Sequence, residues 1–475
     1  MITDTGKKYS IYAVWAVFVF LIGYIKLSYH ELWKDEWQAW FVASDKSLGQ
    51  IFSFLYYEGH PALWYLYLKP FTFLQSLANP VSIMSIAHLV TVALGLYFLF
   101  IRFRLPLFLK IFFALSYFLF FEYGIVNRGY FMVILMTFWV TSLISQEHNN
   151  KLYAGLGLFL LCQTEVYGVF MAIALGFYIY LKSKSGLDRL KNIDFYGLAL
   201  GLLVFLISVF PRVSGHVGKT RGKDLSFIDT ILTSLQGNLS NTYLLGSTPD
   251  TFTVGWTAIG LVLSILCLGG LIYVFYKDKM VWKSFLAFLA MMLIFSIFFF
   301  VGGVRQWGMG FVFFVAMLEL RGMDIRKECG VAGIIITFCM FGLIHNVKAV
   351  REDIRLPFTN AKKTGLFIRD KVPAKVPVVA INKFEATPVI GYAGRKFYEL
   401  PAGAEFSYFR WVDKIYLPTE NELKLFARYK GVGGITILTP KPLDNTRFPN
   451  VKLWQKFDEE NYKKENYFLY TLPVK

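Results

Sequence analysis

Two short segments early in the chain carry residue types that can move protons. The first reads KDEWQAW at 34–40 and sets Asp35 beside Glu36; the second reads YEGHPALWY at 57–65 and holds Glu58 and His60. Paired acids of this kind can act as a general base, because a carboxylate held near cations keeps its charge and can take a proton from a hydroxyl. Spacing leaves a structural use equally open. Asp35 and Glu36 can cap a helix beginning at Trp37, and His60 ahead of Pro61 can start one. Further charges stand at Glu122 and Arg128 in FFEYGIVNRGY (120–130), at Glu165, and at Arg305 in VRQWG (304–308). Glu122 and Glu165 offer oxygen ligands to a divalent cation, or partners to an arginine such as Arg128.

The elements that must position these residues are set by composition. Of 475 residues, 56% are hydrophobic and 18% aromatic, more than a soluble globule can bury. A bilayer supplies the apolar solvent instead. Segments near the length that crosses ~30 Å of hydrocarbon recur from residue 11 to 347 and then stop. The predicted fold class is a polytopic α-helical membrane protein of about eleven spans, near 10–29, 81–101, 105–121, 130–145, 152–164, 166–181, 195–211, 254–276, 284–304, 306–320 and 330–347. The first is read as an uncleaved span, since no small-residue cleavage site follows it. The stretch 61–78 is apolar, but Lys69 and Pro70 interrupt it, so it is placed along the outer membrane surface.

Orientation follows from the cations. With the N-terminus in the cytoplasm, the inner links hold Lys7, Lys8, Arg102, Arg104, Lys151, Lys182, Lys184, Arg189, Lys191, Lys277, Lys279, Lys283, Arg321, Arg326 and Lys327. The short outer turns hold only Arg128 and Arg305. The net charge of +17 is therefore read as membrane orientation, with no nucleic-acid partner. This threading puts Asp35, Glu36, Glu58, His60, Glu122, Arg128, Glu165 and Arg305 on one face, and ionisable groups gathered at a membrane boundary mark a functional site.

Residues 1–349 are taken as the membrane module, with a first outer loop at 30–80, and 350–475 as a small α/β soluble domain outside the cytoplasm. Strand-like runs at 377–381, 434–438 and 467–472 and a helical pattern at 420–429 support that domain. Its GVGG at 431–434 lacks the strand-then-helix context of a phosphate-binding loop. Cys162, Cys267, Cys329 and Cys339 lie in or beside apolar segments without metal-ligand spacing, which argues against a disulfide framework or a zinc site.

The segments at 34–40 and 57–65 resemble the first outer loop of the GT-C glycosyltransferases, in the branch of protein O-mannosyltransferases and lipid A aminoarabinose transferases. In that branch an Asp-Glu pair follows the first span, and a His-Pro or Lys-Pro turn opens a juxtamembrane helix. The stretch 120–130 is similar to the element in which an acid and an arginine precede a tyrosine, here Tyr130, and VRQWG resembles a later arginine-aromatic element. The resemblance implies a membrane enzyme that moves a single sugar from a polyprenyl-phosphate carrier to a glycan, lipid or protein acceptor outside the cytoplasm, as in a bacterial inner membrane. It implies Asp35 as general base supported by Glu36, with His60, Arg128 and Arg305 near the donor phosphate. Glu58, Glu122, Tyr130, Glu165 and Trp307 complete the expected substrate site.

Two departures from the family pattern bear on acceptor and metal use: Glu165 stands where many relatives have a histidine, and HPA replaces the commoner HPP. The residues single out no particular cofactor, and a divalent cation has candidate ligands in Glu122 and Glu165. Trp37, Trp40, Trp64, Tyr65 and Trp307 could stack on sugar rings or form an interfacial belt. Rival readings are a secondary transporter, a non-catalytic anchor for the soluble domain, and a ligase or polymerase that uses a lipid-linked oligosaccharide. Transporters place their charges near the midplane and show paired halves, neither of which is read here.

Overall fold

The computed structural model describes residues 4–146, 150–183, 191–209, 225–245, 256–323 and 327–474; Lys184, Arg189 and Arg326 of the inner links lie outside them. Contacts divide the chain into two compact units, one made of Met1–Ser28 and Leu48–Arg351, the other of Tyr29–Ser47 and Glu352–Lys475. The early segment with Asp35 and Glu36 thus packs with the C-terminal residues, although the sequence places it in the membrane module.

The first unit is helical. It begins with α1 (Asp4–Ser28) and continues with α3 (Leu48–Glu58) and α4 (Leu63–Thr72); α2 (Lys34–Asp45) belongs to the second unit. Each of the eleven apolar segments contains a helix. Among the described residues five helices are long and apolar enough to cross a bilayer: Tyr9–Ser28, Pro80–Arg102, Ala258–Phe275, Lys279–Phe298 and Cys329–Arg355. A sixth arises if Leu107–Ala114 and Tyr117–Ile125, bent by 49°, form one broken span. Tyr130–Ser145, Lys151–Cys162, Val166–Lys182 and Ile193–Val209 are apolar but shorter. Helices of that length suit places where protein or a water-filled cavity thins the lipid path. The chain is an integral multi-pass membrane protein.

The 61–78 stretch forms α4 and a 3-10 turn, Phe73–Ser76, with Pro70 inside α4. Lipid gives helices no hydrophobic drive to associate, so packing contacts must hold the bundle. Aromatic rings supply many of them. Phe288 and Phe313 approach to 4.4 Å between centroids, and Phe275, Phe285 and Phe314 pack around them.

The second unit contains a six-stranded mixed sheet of order β3-β2-β1-β4-β6-β5. The strands are β1 (Val378–Ala380), β2 (Phe397–Glu399), β3 (Ala404–Phe406), β4 (Gly434–Thr439), β5 (Lys452–Phe457) and β6 (Tyr467–Pro473). β1 runs parallel to β2 and β4, and the remaining pairs are antiparallel. The period of two in strands splits the apolar residues between two cores. Val378, Leu438, Tyr467 and Leu469 join the helices Ala361–Lys371 and Lys383–Ala393 on one face. Val379, Ile435, Ile437, Phe468, Tyr470 and Leu472 meet the helix Glu420–Tyr429 on the other.

Helix α2 is built into this unit through Lys383–Ala393. The Trp37 ring sits 5.4 Å from that of Tyr392, edge to face, and a Cβ at Gly391 would fall 2.2 Å from Trp37 Cδ2, so only glycine admits the indole there.

Candidate functional site

The acidic pair stands in the first turn of α2, where the helix dipole favours negative charge. The two acids are used differently. Glu36 is fully buried: its Oε2 accepts a 2.7 Å hydrogen bond from the Trp33 N–H, and its Oε1 lies 3.3 Å from His30 Nε2. The other ring nitrogen, His30 Nδ1, lies 3.2 Å from Asp353 Oδ2. Burial by itself would push the His30 pKa down, but the carboxylates of Asp353 and Glu36 outweigh it and hold it at about 10. Asp35 is half-buried, which leaves it the more accessible acid of the two. Next to it, Lys34 Nζ binds Glu385 at 2.9 Å and Glu465 at 3.0 Å. The helix starts at Lys34 rather than Trp37, because Glu36 can cap only from the third helical position.

The first unit brings the other expected residues into one neighbourhood. His60, in the turn between α3 and α4, has its Nδ1 2.6 Å from Glu165 Oε2, with the His60 side chain 34% exposed. Burial opposes its charge, yet Glu165 and Glu58 raise its pKa above the ordinary histidine value, and Arg128 works against them. Tyr65 donates to Glu58 at 3.2 Å. The turn before Tyr130 passes close by: a Cβ on Gly129 would lie 3.1 Å from Trp64 Cβ and 3.5 Å from Glu165 Oε1. The Arg128 guanidinium sits over the Tyr130 ring, 5.1 Å from its centroid.

From Tyr130 the network runs on to the VRQWG element. Gln306 Nε2 donates to the Tyr130 hydroxyl at 3.1 Å, Tyr123 donates to the Arg305 carbonyl at 2.6 Å, and Arg305 Nε lies 3.5 Å from Glu122 Oε1. Glu122 also accepts from the Tyr117 hydroxyl at 2.7 Å. It stands on a π-helical turn, Tyr117–Ile125, a widened geometry that recurs at functional sites. The result is a set of cations, His60, Arg128 and Arg305, two of them steadied by a carboxylate. Such a set is suited to an anionic group that carries several oxygens.

Glu122 and Glu165 are therefore paired with cations, Glu122 with Arg305 and Glu165 with His60. Among the described residues there is no group of three or more His, Cys, Asp or Glu side chains that could hold a metal ion. The aromatic residues also differ from expectation. Trp37, Trp40, Trp64, Tyr65 and Trp307 are all buried, and the Trp307 indole donates to the Val301 carbonyl at 2.8 Å. Their faces are enclosed by protein, so they buttress the fold and present neither a sugar platform nor a lipid-facing belt.

Sequence reasoning missed Lys26, which is buried in α1 and donates to the Ile125 carbonyl at 2.6 Å and to Asn127 Oδ1 at 2.8 Å, with His88 Nδ1 also 2.8 Å away. It pins the turn that carries Arg128. A lone charge within a span was the available signal. Gln306 was missed because a neutral amide between Arg305 and Trp307 has no signature.

No protein-family model and no curated protein sequence matches this chain. Solved structures do. ArnT from Cupriavidus metallidurans in the apo state aligns over 98% of both chains with a TM-score of 0.57 and 12% identity. The same protein bound to undecaprenyl phosphate aligns over 98% of both chains with a TM-score of 0.54 and 12% identity. The likeness establishes an ArnT-like fold, the one implied by the resemblance to the GT-C branch of lipid A aminoarabinose transferases.

Proposed function

We propose that this chain is a GT-C glycosyltransferase that moves a single sugar from a polyprenyl-phosphate carrier to a glycan, lipid or protein acceptor outside the cytoplasm. The observation that carries the reading is the fold it shares, end to end, with a protein crystallised with undecaprenyl phosphate. The cation set in the first unit supports it independently, since a lipid-linked phosphate keeps its tail in the bilayer and needs positive charge where its head group lies.

In this reading His60, Arg128 and Arg305 receive the phosphate, with Glu165 and Glu122 holding the His60 and Arg305 cations in place. Glu58 and Tyr130 shape the surroundings through Tyr65 and Gln306. Trp307 supports the Arg305 turn through its indole hydrogen bond to the Val301 carbonyl. An acceptor hydroxyl attacks the anomeric carbon, its proton passes to the Asp35 carboxylate, and the bond from that carbon to the phosphate oxygen breaks. The departing phosphate takes the electron pair, and the cations stabilise the charge that grows on it. Attack opposite the leaving group inverts the anomeric carbon. Glu36, committed to its cap and to His30, positions Asp35 rather than exchanging protons. The N-terminus lies in the cytoplasm and the sheet-containing unit outside it, in a bacterial inner membrane.

The test is transfer by the purified full-length protein from a matched polyprenyl-phosphate sugar. Asp35→Asn should abolish transfer while the protein elutes and melts like wild type. Full activity in that variant would refute the assignment of the base.

A further inference from the structure

The residues on either side of Asp35 are tied to distant parts of the second unit. Upstream, the Tyr392 hydroxyl donates to the Leu32 carbonyl at 3.2 Å, and the Trp33 indole donates to the Glu465 carboxylate at 3.0 Å. Lys34 Nζ binds that same carboxylate at 3.0 Å and Glu385 at 2.9 Å. Downstream, Glu36 meets His30, whose other ring nitrogen meets Asp353. Glu385 stands in the first turn of the helix Lys383–Ala393, and Glu465 in the segment just before β6.

A helix start does not need this much. Its first N–H groups have no intrahelical partner and call only for a cap, which Glu36 supplies. The side chains of Lys34, Glu385 and Glu465 are 17% to 22% exposed, and apolar residues would join α2 to its unit at lower desolvation cost. Burial works against the Lys34 charge, but Glu465, Glu385 and Asp35 outweigh it and raise its pKa above the ordinary lysine value.

What the trio supplies is direction. An ammonium shared by carboxylates from two different elements, one of which also takes the neighbouring indole, fixes residues 33 and 34 in both position and rotation. Asp35 follows them in the same turn. A proton acceptor must stand within hydrogen-bond reach of the attacking hydroxyl, and a displacement of about 1 Å can cost on the order of 10²-fold in rate. We propose that Glu385 and Glu465 are positioning residues for the transfer, fixing the Asp35 carboxylate through Lys34 and Trp33. The sheet-containing unit is then part of the catalytic machinery, an inference that rests on the transferase reading.

Transfer and hydrogen exchange are measured separately on full-length protein in nanodiscs. Lys34→Met and Glu465→Gln should each lower kcat by about tenfold or more, with the Michaelis constant for the donor within about twofold of wild type. Lys34→Arg, whose guanidinium can still bridge both carboxylates, should keep most of kcat. Glu385→Gln, at the most exposed of the three positions, should lower kcat about threefold and decides the matter if the other variants do not fold. Lys424→Met, which breaks the Glu420 ion pair elsewhere in the same unit, should leave kcat unchanged. Deuterium uptake at residues 33–38 should rise in Lys34→Met and Glu465→Gln. Wild-type kcat in the folded variants, or a loss carried by the donor Michaelis constant alone, would overturn the proposal. A wild type without transfer would count against the transferase reading instead, and unchanged deuterium uptake in the variants would then overturn the clamp by itself.

Discussion

Gln38 and Phe409, far apart in the chain, exchange two hydrogen bonds: the Gln38 amide donates to the Phe409 carbonyl at 2.7 Å, and the Phe409 N–H donates to Gln38 Oε1 at 3.1 Å. One side chain thereby mimics a strand neighbour and ties α2, the helix of Asp35, to an otherwise irregular segment. Gln38→Ala leaves both backbone groups buried without their partner, at a cost of about 1–3 kcal/mol for each. Faster hydrogen exchange at the Phe409 amide and a lower melting temperature are expected. Gln38→Glu should slow that exchange relative to Gln38→Ala, because it keeps the acceptor.

Gly391 lies under Trp37 with no room for a methyl group. Gly391→Ala should destabilise the second unit by about 1–3 kcal/mol through overpacking. Shrinking the opposing ring, with Gly391→Ala made together with Trp37→Leu, should recover part of the melting temperature lost by the single variant. A melt unchanged by Gly391→Ala alone would contradict the packing described.

His30 makes stability depend on alkali. Its pKa in the folded chain, about 10, stands above the unfolded value of 6.5. Its contribution is then fully present below about pH 6.5 and disappears as pH rises through about 10. Melting temperature should decline across that window in the wild type and decline less in His30→Gln. Parallel profiles for the two proteins would remove His30 as the cause.

Glu165 is expected to set the alkaline limit of transfer through His60. The carboxylate keeps the imidazole protonated to higher pH, and in the proposed reading that cation meets the donor phosphate. Above the raised pKa the charge is lost and the Michaelis constant for donor should rise. In Glu165→Gln the rise should begin at lower pH, visible in a pH profile of kcat/KM for the lipid-linked sugar.

Arg128, stacked on Tyr130, is expected to act on the departing phosphate. Arg128→Met should lower kcat/KM on the order of 10²-fold, as when a donor to a developing oxyanion is removed. Arg128→Lys should recover part of it, and the overall melting profile should not move.

Much of the fold was legible in the sequence because hydropathy and residue period are local properties. Apolar runs marked eleven helices of the first unit, though not Leu48–Glu58 or Phe227–Gln236, strand-like runs at 434–438 and 467–472 marked β4 and β6, and Glu58, His60, Glu122, Arg128, Glu165 and Arg305 stood out as charges beside apolar segments. Pairing was not legible. Whether Glu165 would meet His60 or Arg128, whether Glu36 would face solvent or His30, and whether residues 29–47 would side with the spans or with the sheet all depend on the path of the chain between distant positions. Tertiary structure decided those, since a buried charge is stable only beside its partner and no local pattern says which partner will arrive.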